Sequence, residues 1–323
     1  MKKLCYFLVC CLFFISCAEN EICEPSSDEW SVIQASEVIL SDIWLGDDCT
    51  YAVGGSIGIE TSEISGTVLK NVNGAWEVEK NEWDSRVVLT TLQGNSCDEI
   101  YAIGYVHEAG TYSGILMKKN GNKWTMHNYG REFSSLQIIE DDVYLAATDG
   151  GVFRLDGNSL ERLHSINIKI TDLWGTDANN LFISGFFQNR SSLMHFDGSD
   201  WTDLLVSSRI KEMYINLFLP VAENEIYAAG EDGKLVKYDG ERWSILTSGL
   251  PPIYDIAVSS AKEIYLATGR YPNLGAIYKY VPNTRELIME FSLSSPVTGI
   301  WSDESRGIYA CTGSGKIIHK SRM

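Results

Sequence analysis

Short runs of alternating apolar and polar residues, separated by turn residues, fill most of the chain. The segment from Leu217 to Trp243 shows the unit clearly: an apolar lead-in is followed by EIYAAG, KLVKY and DGERW. Alternation with a period of two residues indicates half-buried β-strands, and Asp239-Gly240 between two such runs is a strong hairpin signal. The segment therefore predicts three short strands joined by tight turns.

The same unit recurs along the chain. A tyrosine or phenylalanine marks its second strand, at an average spacing of 43 residues. These residues are Tyr51, Tyr101, Tyr144, Phe182, Tyr227, Tyr265 and Tyr309. One unit cannot bury its apolar face alone, and a period of about 40–50 residues with four strands per unit is typical of propellers. The sequence therefore predicts an all-β fold, a seven-bladed β-propeller of four-stranded antiparallel blades.

The two ends of the chain supply complementary parts of the last blade. The seventh unit stops at its third strand near the C-terminus, whereas Trp30-Ser31-Val32-Ile33 has the tryptophan expected of a fourth strand. Closing the ring removes the exposed sheet edges that an open array would leave. We therefore expect the N-terminal strand near Trp30 to close the last blade; the alternative is that Trp30 begins a loop.

Three recurring motifs carry a resemblance to a known family. They are represented by Asp172-Leu173-Trp174-Gly175, Tyr51-Ala52-Val53-Gly54 and Tyr238-Asp239-Gly240 before Trp243. Residues 30–320 resemble the secreted bacterial propellers with kelch-like or BNR-like repeats. The G-x-x-W ending is also similar to the Asp-box of sialidases, but the Ser-x-Asp-x-Gly spacing is absent. The resemblance implies a propeller and no particular activity, since propellers have many unrelated functions.

The N-terminus is typical of an exported protein. Two lysines precede an apolar run from Leu4 to Ile15, which is too short to span a bilayer. The run ends at Phe14-Ile15-Ser16-Cys17, which resembles a bacterial lipobox, with Phe14 where that motif prefers leucine. The resemblance implies that residues 1–17 are a lipoprotein signal peptide and lipobox, with lipidation at Cys17. The alternative is secretory cleavage at Ala18, which gives a periplasmic or secreted protein.

The acidic segment 18–29 is predicted to be a tether to a single propeller at residues 30–323. Directly after the lipobox, Ala18-Glu19-Asn20-Glu21 lacks the second-position aspartate associated with inner-membrane retention. Its acidity is similar to the surface-export signals of Bacteroidetes-like lipoproteins. The resemblance implies a lipid-anchored protein of the outer membrane or cell surface.

Net charge and cysteine spacing argue against two kinds of function, nucleic-acid binding and metal binding. The formal net charge of −17 disfavours nucleic-acid binding, which needs a basic surface. The cysteines beyond the signal region have no C-x-x-C spacing, so we assign no metal site. Cys49 and Cys97 precede equivalent strands of neighbouring units, and in an oxidising compartment they are candidates for a disulfide. The alternative is a pair of buried free thiols.

Catalytic motifs are absent from the sequence. The five histidines have no metal-ligand spacing, and there is no G-x-S-x-G, P-loop or dinucleotide motif. We therefore assign no catalytic residue and no cofactor. A polysaccharide-acting hydrolase or lyase, with carboxylates meeting across the central channel, is one alternative. A structural subunit of an envelope complex is another.

The candidate binding residues lie on one face of the predicted disc. In an antiparallel blade, the connections between second and third strands and those between blades share a face, which we call the long-loop face. The long connections are Gly54–Gly66, Glu79–Arg86, Gly104–Gly114, Asn128–Phe133, Gly185–Ser192, Ser207–Met213 and Gly269–Gly275. Irregular loops on a rigid scaffold commonly carry function.

These loops contain aromatic and basic residues that the strand pattern does not require. They are Trp83, Arg86, Tyr105, His107, Tyr112, Tyr129, Arg131, Phe186, Phe187, Arg190, Arg270 and Tyr271. Such residues can stack on sugar rings or anchor a protein partner. The sequence predicts non-catalytic binding of a glycan or an envelope protein, and the alternative for each residue is local packing.

Overall fold

A computed structural model describes residues 30–57, 64–80, 83, 86–108, 111–205, 209–222, 224–259 and 261–321. The predicted signal peptide, the lipobox and the tether lie outside these residues. The described part forms seven four-stranded antiparallel sheets and one short 3-10 helix at Arg209–Glu212. Within it, no helix is long and apolar enough to cross a membrane.

The strands are numbered along the chain, and blades 1 to 6 each use four consecutive strands. Blade 1 contains β2 (Leu40–Leu45), β3 (Thr50–Ile57), β4 (Ile64–Val72) and β5 (Ala75–Lys80). Blade 2 contains β6 (Arg86–Ser96), β7 (Glu99–Glu108), β8 (Thr111–Asn120) and β9 (Lys123–Asn128). Blade 3 contains β10 (Phe133–Ile139), β11 (Asp142–Ala147), β12 (Gly151–Asp156) and β13 (Ser159–Ser165).

The second half of the ring repeats this order. Blade 4 contains β14 (Lys169–Asp177), β15 (Asn180–Phe187), β16 (Arg190–Phe196) and β17 (Trp201–Asp203). Blade 5 contains β18 (Ile215–Ala222), β19 (Glu225–Gly230), β20 (Leu235–Tyr238) and β21 (Trp243–Thr247). Blade 6 contains β22 (Ile253–Val258), β23 (Ile264–Arg270), β24 (Leu274–Val281) and β25 (Glu286–Leu293). Blade 7 contains β26 (Val297–Asp303), β27 (Gly307–Thr312), β28 (Lys316–Lys320) and the N-terminal β1 (Trp30–Gln34).

The pairing of β1 with β28 closes the ring. The register runs from Trp30 opposite Lys320 to Gln34 opposite Lys316. The Trp30 side chain is 8% exposed, and its ring lies 5.7 Å from that of Phe291 in blade 6. The predicted seven-bladed architecture and its closure by the strand near Trp30 are therefore confirmed.

The core is divided among the interfaces between adjacent blades. In β19, Tyr227 and Ala229 pack with Ile253 and Leu266 of blade 6, whereas Ala228 packs toward blade 4. Successive side chains of a strand point to opposite faces of the sheet. Each second strand is therefore apolar on both faces because both faces are covered by neighbouring blades.

A disulfide joins blades 1 and 2. The Cα atoms of Cys49 and Cys97 are 5.8 Å apart, and each residue lies just before the second strand of its blade. Cys49 is buried within the apolar core between the two blades. Among the described residues, Cys311 is a free cysteine and is fully buried.

Candidate functional site

A central channel runs along the axis, lined by the innermost strand of each blade, with a cavity volume of about 400 Å³. Each of these strands contains a β-bulge near its start. The extra residues line the channel and are Ser41, Thr90, Ser134, Thr171, Asn216, Tyr254 and Thr298. A bulge increases the local twist and re-aims side chains. The bulges therefore place a ring of mostly small polar residues around the channel.

Three aspartates in the channel wall bind neighbouring blades together. Asp42 accepts hydrogen bonds from the amides of Ile43, at 2.8 Å, and Leu92 of blade 2, at 2.9 Å. Asp255 accepts from Ile256 and from Ile300 of blade 7, both at 2.8 Å.

Asp172 extends the pattern to blades 3 and 5. It accepts from Leu173 at 2.9 Å, from the Ser135 hydroxyl at 2.8 Å, and from the Phe218 amide. Asp42 therefore links blade 1 to blade 2, Asp172 links blade 4 to blades 3 and 5, and Asp255 links blade 6 to blade 7.

Burial raises the pKa of these carboxyl groups. It raises the pKa of Asp172 to about 6 and that of Asp255 to about 7, although the amide hydrogen bonds act in the opposite direction. Burial also raises the pKa of Asp42 well above its usual value, and the nearby charge of Asp255 adds to the effect. The described residues contain no cluster of three or more His, Cys, Asp or Glu side chains suited to a metal. Both oxygens of Asp42 and of Asp255 accept hydrogen bonds from backbone amides of two blades. We call such an aspartate, which joins its own blade to a neighbouring one, a blade tie.

The long-loop face carries the exposed aromatic side chains. Tyr112 is 59% exposed, Phe187 44%, Tyr214 50% and Tyr271 52%. They lie in blades 2, 4 and 6 and in the connection that enters blade 5. Within the described ranges, all large aromatic side chains with this degree of exposure lie on that face. Exposed aromatic residues of this kind are typical anchors for a binding partner.

The largest aromatic group surrounds the β7–β8 hairpin of blade 2. The rings of Tyr105 and Tyr112 meet edge to face, 5.5 Å apart, and the His107 ring lies 4.6 Å from that of Tyr112. Burial raises the pKa of the Tyr105 phenol above its ordinary value. Arg86 is exposed and lies opposite His107 in the β6–β7 register.

Two predicted residues of the connection between blades 2 and 3 contact blade 3. Tyr129 donates a hydrogen bond to the Asn158 carbonyl at 3.0 Å. Arg131 forms an ion pair with Asp149 and lies 4.8 Å above the centre of the Phe153 ring. Tyr129 therefore packs on the core between blades 2 and 3, whereas the Arg131 carbonyl lies against Gly114 of the β7–β8 hairpin.

The remaining predicted residues form separate groups. In blade 4, the Phe186 ring lies 5.8 Å from Tyr214, and Arg190 forms an exposed 3.6 Å ion pair with Glu212. In blade 6, Arg270 ends the second strand, Tyr271 follows it, and both are exposed.

Trp83 lies apart from these groups. Its indole donates a hydrogen bond to the Gly66 carbonyl at 2.8 Å, and its half-buried ring packs on the core between blades 1 and 2. The Lys80 ammonium lies 4.9 Å above the ring. Its contacts are those of a residue that covers the junction of two blades.

Several residues of the channel wall and of the long-loop face were not identified from the sequence. Tyr214 lies one residue beyond the connection at Ser207–Met213. Glu132 lies inside the connection at Asn128–Phe133 but is neither aromatic nor basic, the two residue classes chosen as candidates. Asp255-Ile256 matches the first two residues of the D-I-W motif, and that match is the signal that would have found the third blade tie.

The fold is shared with many solved structures. No protein-family model and no curated protein sequence matches the chain. The structure of YCF48 bound to D1 peptide is similar at a TM-score of 0.69 and 12% identity, covering 94% of this chain and 100% of that one. YCF48 from Cyanidioschyzon merolae gives a TM-score of 0.68 at 14% identity, covering 91% and 99%.

A third similar structure is the extracellular domain of the one-component system protein BT4673 from B. thetaiotaomicron. Its TM-score is 0.66 at 12% identity, and the match covers 92% of this chain and 40% of that one. At such low identity these similarities concern the fold alone. The chain is similar to seven-bladed propellers, and the similarity extends over almost its whole length.

Proposed function

We propose that the protein is a non-catalytic binding module that recognises a protein partner through its long-loop face. The observation that carries the proposal is the confinement of the exposed aromatic side chains Tyr112, Phe187, Tyr214 and Tyr271 to that face. An aromatic side chain contributes much binding free energy when a partner covers it, and exposed aromatic residues gathered on one face are typical of a binding surface. The peptide complex of the similar propeller YCF48 supports the choice of a protein partner.

A glycan is the second candidate. Tyrosine rings beside polar groups also stack on sugar rings, and Tyr105, Tyr112 and His107 lie together in that way. Binding of the detergent-solubilised full chain to a glycan array, lost on Tyr112→Ala, is the outcome that favours it. Release of a shorter glycan product would instead favour a hydrolase or lyase.

Photo-crosslinking in cells tests the choice of face. The photoreactive residue p-benzoylphenylalanine replaces Tyr112, Phe187 or Tyr271 in the full chain, one at a time. Matched control positions are Asn122 and Glu241, which are exposed in the short turns of the opposite face. We expect a protein adduct of one discrete size from the long-loop positions, weakened by Tyr214→Ser, and none from the controls. Adducts of equal yield from both faces, or none from the long-loop face, would reject the proposal.

We further propose that the module is anchored by lipid at Cys17 in the outer membrane or at the cell surface. The lipobox resemblance and the acidic residues that follow it support this proposal. Cys17→Ala should abolish incorporation of alkyne-tagged palmitate and release the protein from the membrane fraction, whereas Cys23→Ala should leave both unchanged. Wild-type protein that takes up no alkyne-tagged palmitate and is absent from the membrane fraction would instead favour secretory cleavage at Ala18. Antibody labelling of intact cells distinguishes a surface location from an internal one.

A further inference from the structure

A cleft opens on the long-loop face between the β7–β8 hairpin of blade 2 and the connection that enters blade 3. Its volume is about 390 Å³, and its lining residues are Tyr105, Tyr112, Ser113, Gly114 and Glu132. The pairing register aligns Tyr105 with Gly114, so these two residues share one side of the hairpin. The cleft thus has two aromatic rings and one carboxylate among its walls.

Backbone contacts hold the two walls in place. A Cβ atom on Gly114 would lie 1.9 Å from the Arg131 carbonyl oxygen, so only glycine allows the hairpin to approach the connection this closely. On the other wall, the Thr148 amide donates to the Glu132 carbonyl at 3.0 Å. The Thr148 hydroxyl donates to Oε2 of Glu132 at 3.2 Å. Glu132 is therefore held at its backbone carbonyl and at one carboxylate oxygen before any ligand enters.

The surrounding charges favour a cation in this cleft. Arg131, which directly precedes Glu132 in the sequence, forms an ion pair with Asp149 and lies over the Phe153 ring. Arg86 and His107 face the same side of the hairpin but do not line the cleft. The net charge of −17 gives the whole molecule an attraction for basic ligands.

From this arrangement we infer that the cleft binds a cationic side chain, arginine or lysine, of the protein partner. An ammonium or guanidinium group is attracted to the face of an aromatic ring, and a carboxylate pairs with it directly. The edge-to-face contact of Tyr105 and Tyr112 leaves Tyr112 largely exposed, so a ring face is accessible to such a group. This inference rests on the proposed function and names the chemistry recognised at one part of the face.

An NMR titration of the full chain in detergent tests the inference. The probes are short Gly/Ser peptides whose central residue is arginine, citrulline or glutamate, and the tyrosine ring signals of the protein report binding. Citrulline has the shape of arginine without its charge. We expect the arginine peptide to bind about three- to tenfold more tightly than the citrulline peptide, as a cation–π contact and an exposed ion pair together predict. The glutamate peptide should bind most weakly.

Variants separate the cleft from the rest of the face. Glu132→Gln and Tyr112→Ala should each reduce the preference for arginine over citrulline, and the double variant should abolish it. Glu212→Gln, which changes an exposed carboxylate elsewhere on the same face, should leave the preference intact. Equal affinity for all peptides, or equal effects of Glu132→Gln and Glu212→Gln, would overturn the inference. If crosslinks still formed at positions 187 and 271 in that case, the proposed function would stand without this cleft.

Discussion

Asp255 shows how one side chain connects the blades at the channel. Its two carboxylate oxygens accept hydrogen bonds from the amide of Ile256 in its own strand and from the amide of Ile300 in the next blade. A buried carboxylate is stabilised by such hydrogen bonds, but it loses more from the removal of water, so its pKa rises to about 7. The ionised form of Asp255 is therefore disfavoured in the folded protein, and its contribution to the free energy of unfolding depends on pH.

The raised pKa values predict a pH dependence of stability. A carboxyl group with a pKa higher in the folded than in the unfolded state stabilises the fold fully below its unfolded pKa, and this contribution is lost as pH rises through the folded pKa. With Asp172 at about 6 and Asp255 at about 7, stability should fall between about pH 4 and pH 8. Asp255→Asn removes one such group, so the change in Tm across this range should become smaller.

Thermal melts of wild type and Asp255→Asn at several pH values check this prediction. The quantity to compare is the slope of Tm against pH, because the variant also loses one acceptor for a backbone amide and should be less stable at every pH. His164 acts in the opposite direction, since burial lowers its pKa and its contribution is lost as pH falls. Glu241→Gln, a fully exposed change, is the control. An unchanged slope for Asp255→Asn would show that Asp255 does not titrate in this range.

The strand positions of these aspartates could be predicted from the sequence, but their hydrogen-bond partners could not. The D-I-W motif placed Asp42 in a first strand, because the strand pattern is local. Its second amide donor, Leu92, lies 50 residues away and becomes a neighbour only when blades 1 and 2 pack. Sequence spacing alone does not identify a hydrogen bond of that kind.

At the scale of the strand, the glycine that ends the Y-A-V-G pattern has a steric role. Gly230 ends β19, where the bulge in β18 brings the Tyr214 carbonyl close, and a Cβ atom there would lie 1.9 Å from that oxygen. Gly104 has the same relation to Val88, at 2.0 Å. The pattern predicted the end of β19 at Gly230, whereas β3 and β7 continue past Gly54 and Gly104. The bulge that requires glycine could not be seen from alternation alone.

Gly230→Ala should therefore destabilise the propeller. Overpacking of this kind typically costs about 1–3 kcal/mol, because backbone rather than a flexible side chain must move. Urea unfolding followed by tryptophan fluorescence measures the loss. Gly121→Asn is the matched control, since Gly121 has a positive φ of 57°, which asparagine tolerates, and open space around its Cβ position. A loss no greater for Gly230→Ala than for Gly121→Asn would contradict the steric explanation.

At the scale of the whole molecule, blade number and ring closure were accessible from the sequence because each blade repeats the same strand pattern. The candidate site was less accessible. Strand topology assigned the aromatic residues to the correct face. Which of them form one group depends on which loops contact each other in the folded protein. Glu132, for example, joins Tyr105 and Tyr112 in one cleft only through the approach of Gly114 to the next connection.

Closure makes the stability of all blades depend on β1. Trp30 is the buried residue of that strand and packs against Phe291, while the Lys320 ammonium lies 5.4 Å above its ring. Trp30→Ala should destabilise the protein by about 3–5 kcal/mol, as expected for loss of a buried aromatic side chain. It should also expose the edge of β28 to pairing with other chains, so that aggregation accompanies the loss.

Val32→Ala provides the comparison within the same strand. Val32 is 41% exposed, so its truncation should change the free energy of unfolding by no more than about 0.5 kcal/mol. Urea unfolding measures both variants, and light scattering reports association. If β1 merely covers the last blade, the two substitutions should differ only by the buried area that each removes, and neither should promote association. Association of the Trp30→Ala variant alone would show that β1 is the strand that protects the open edge of the ring.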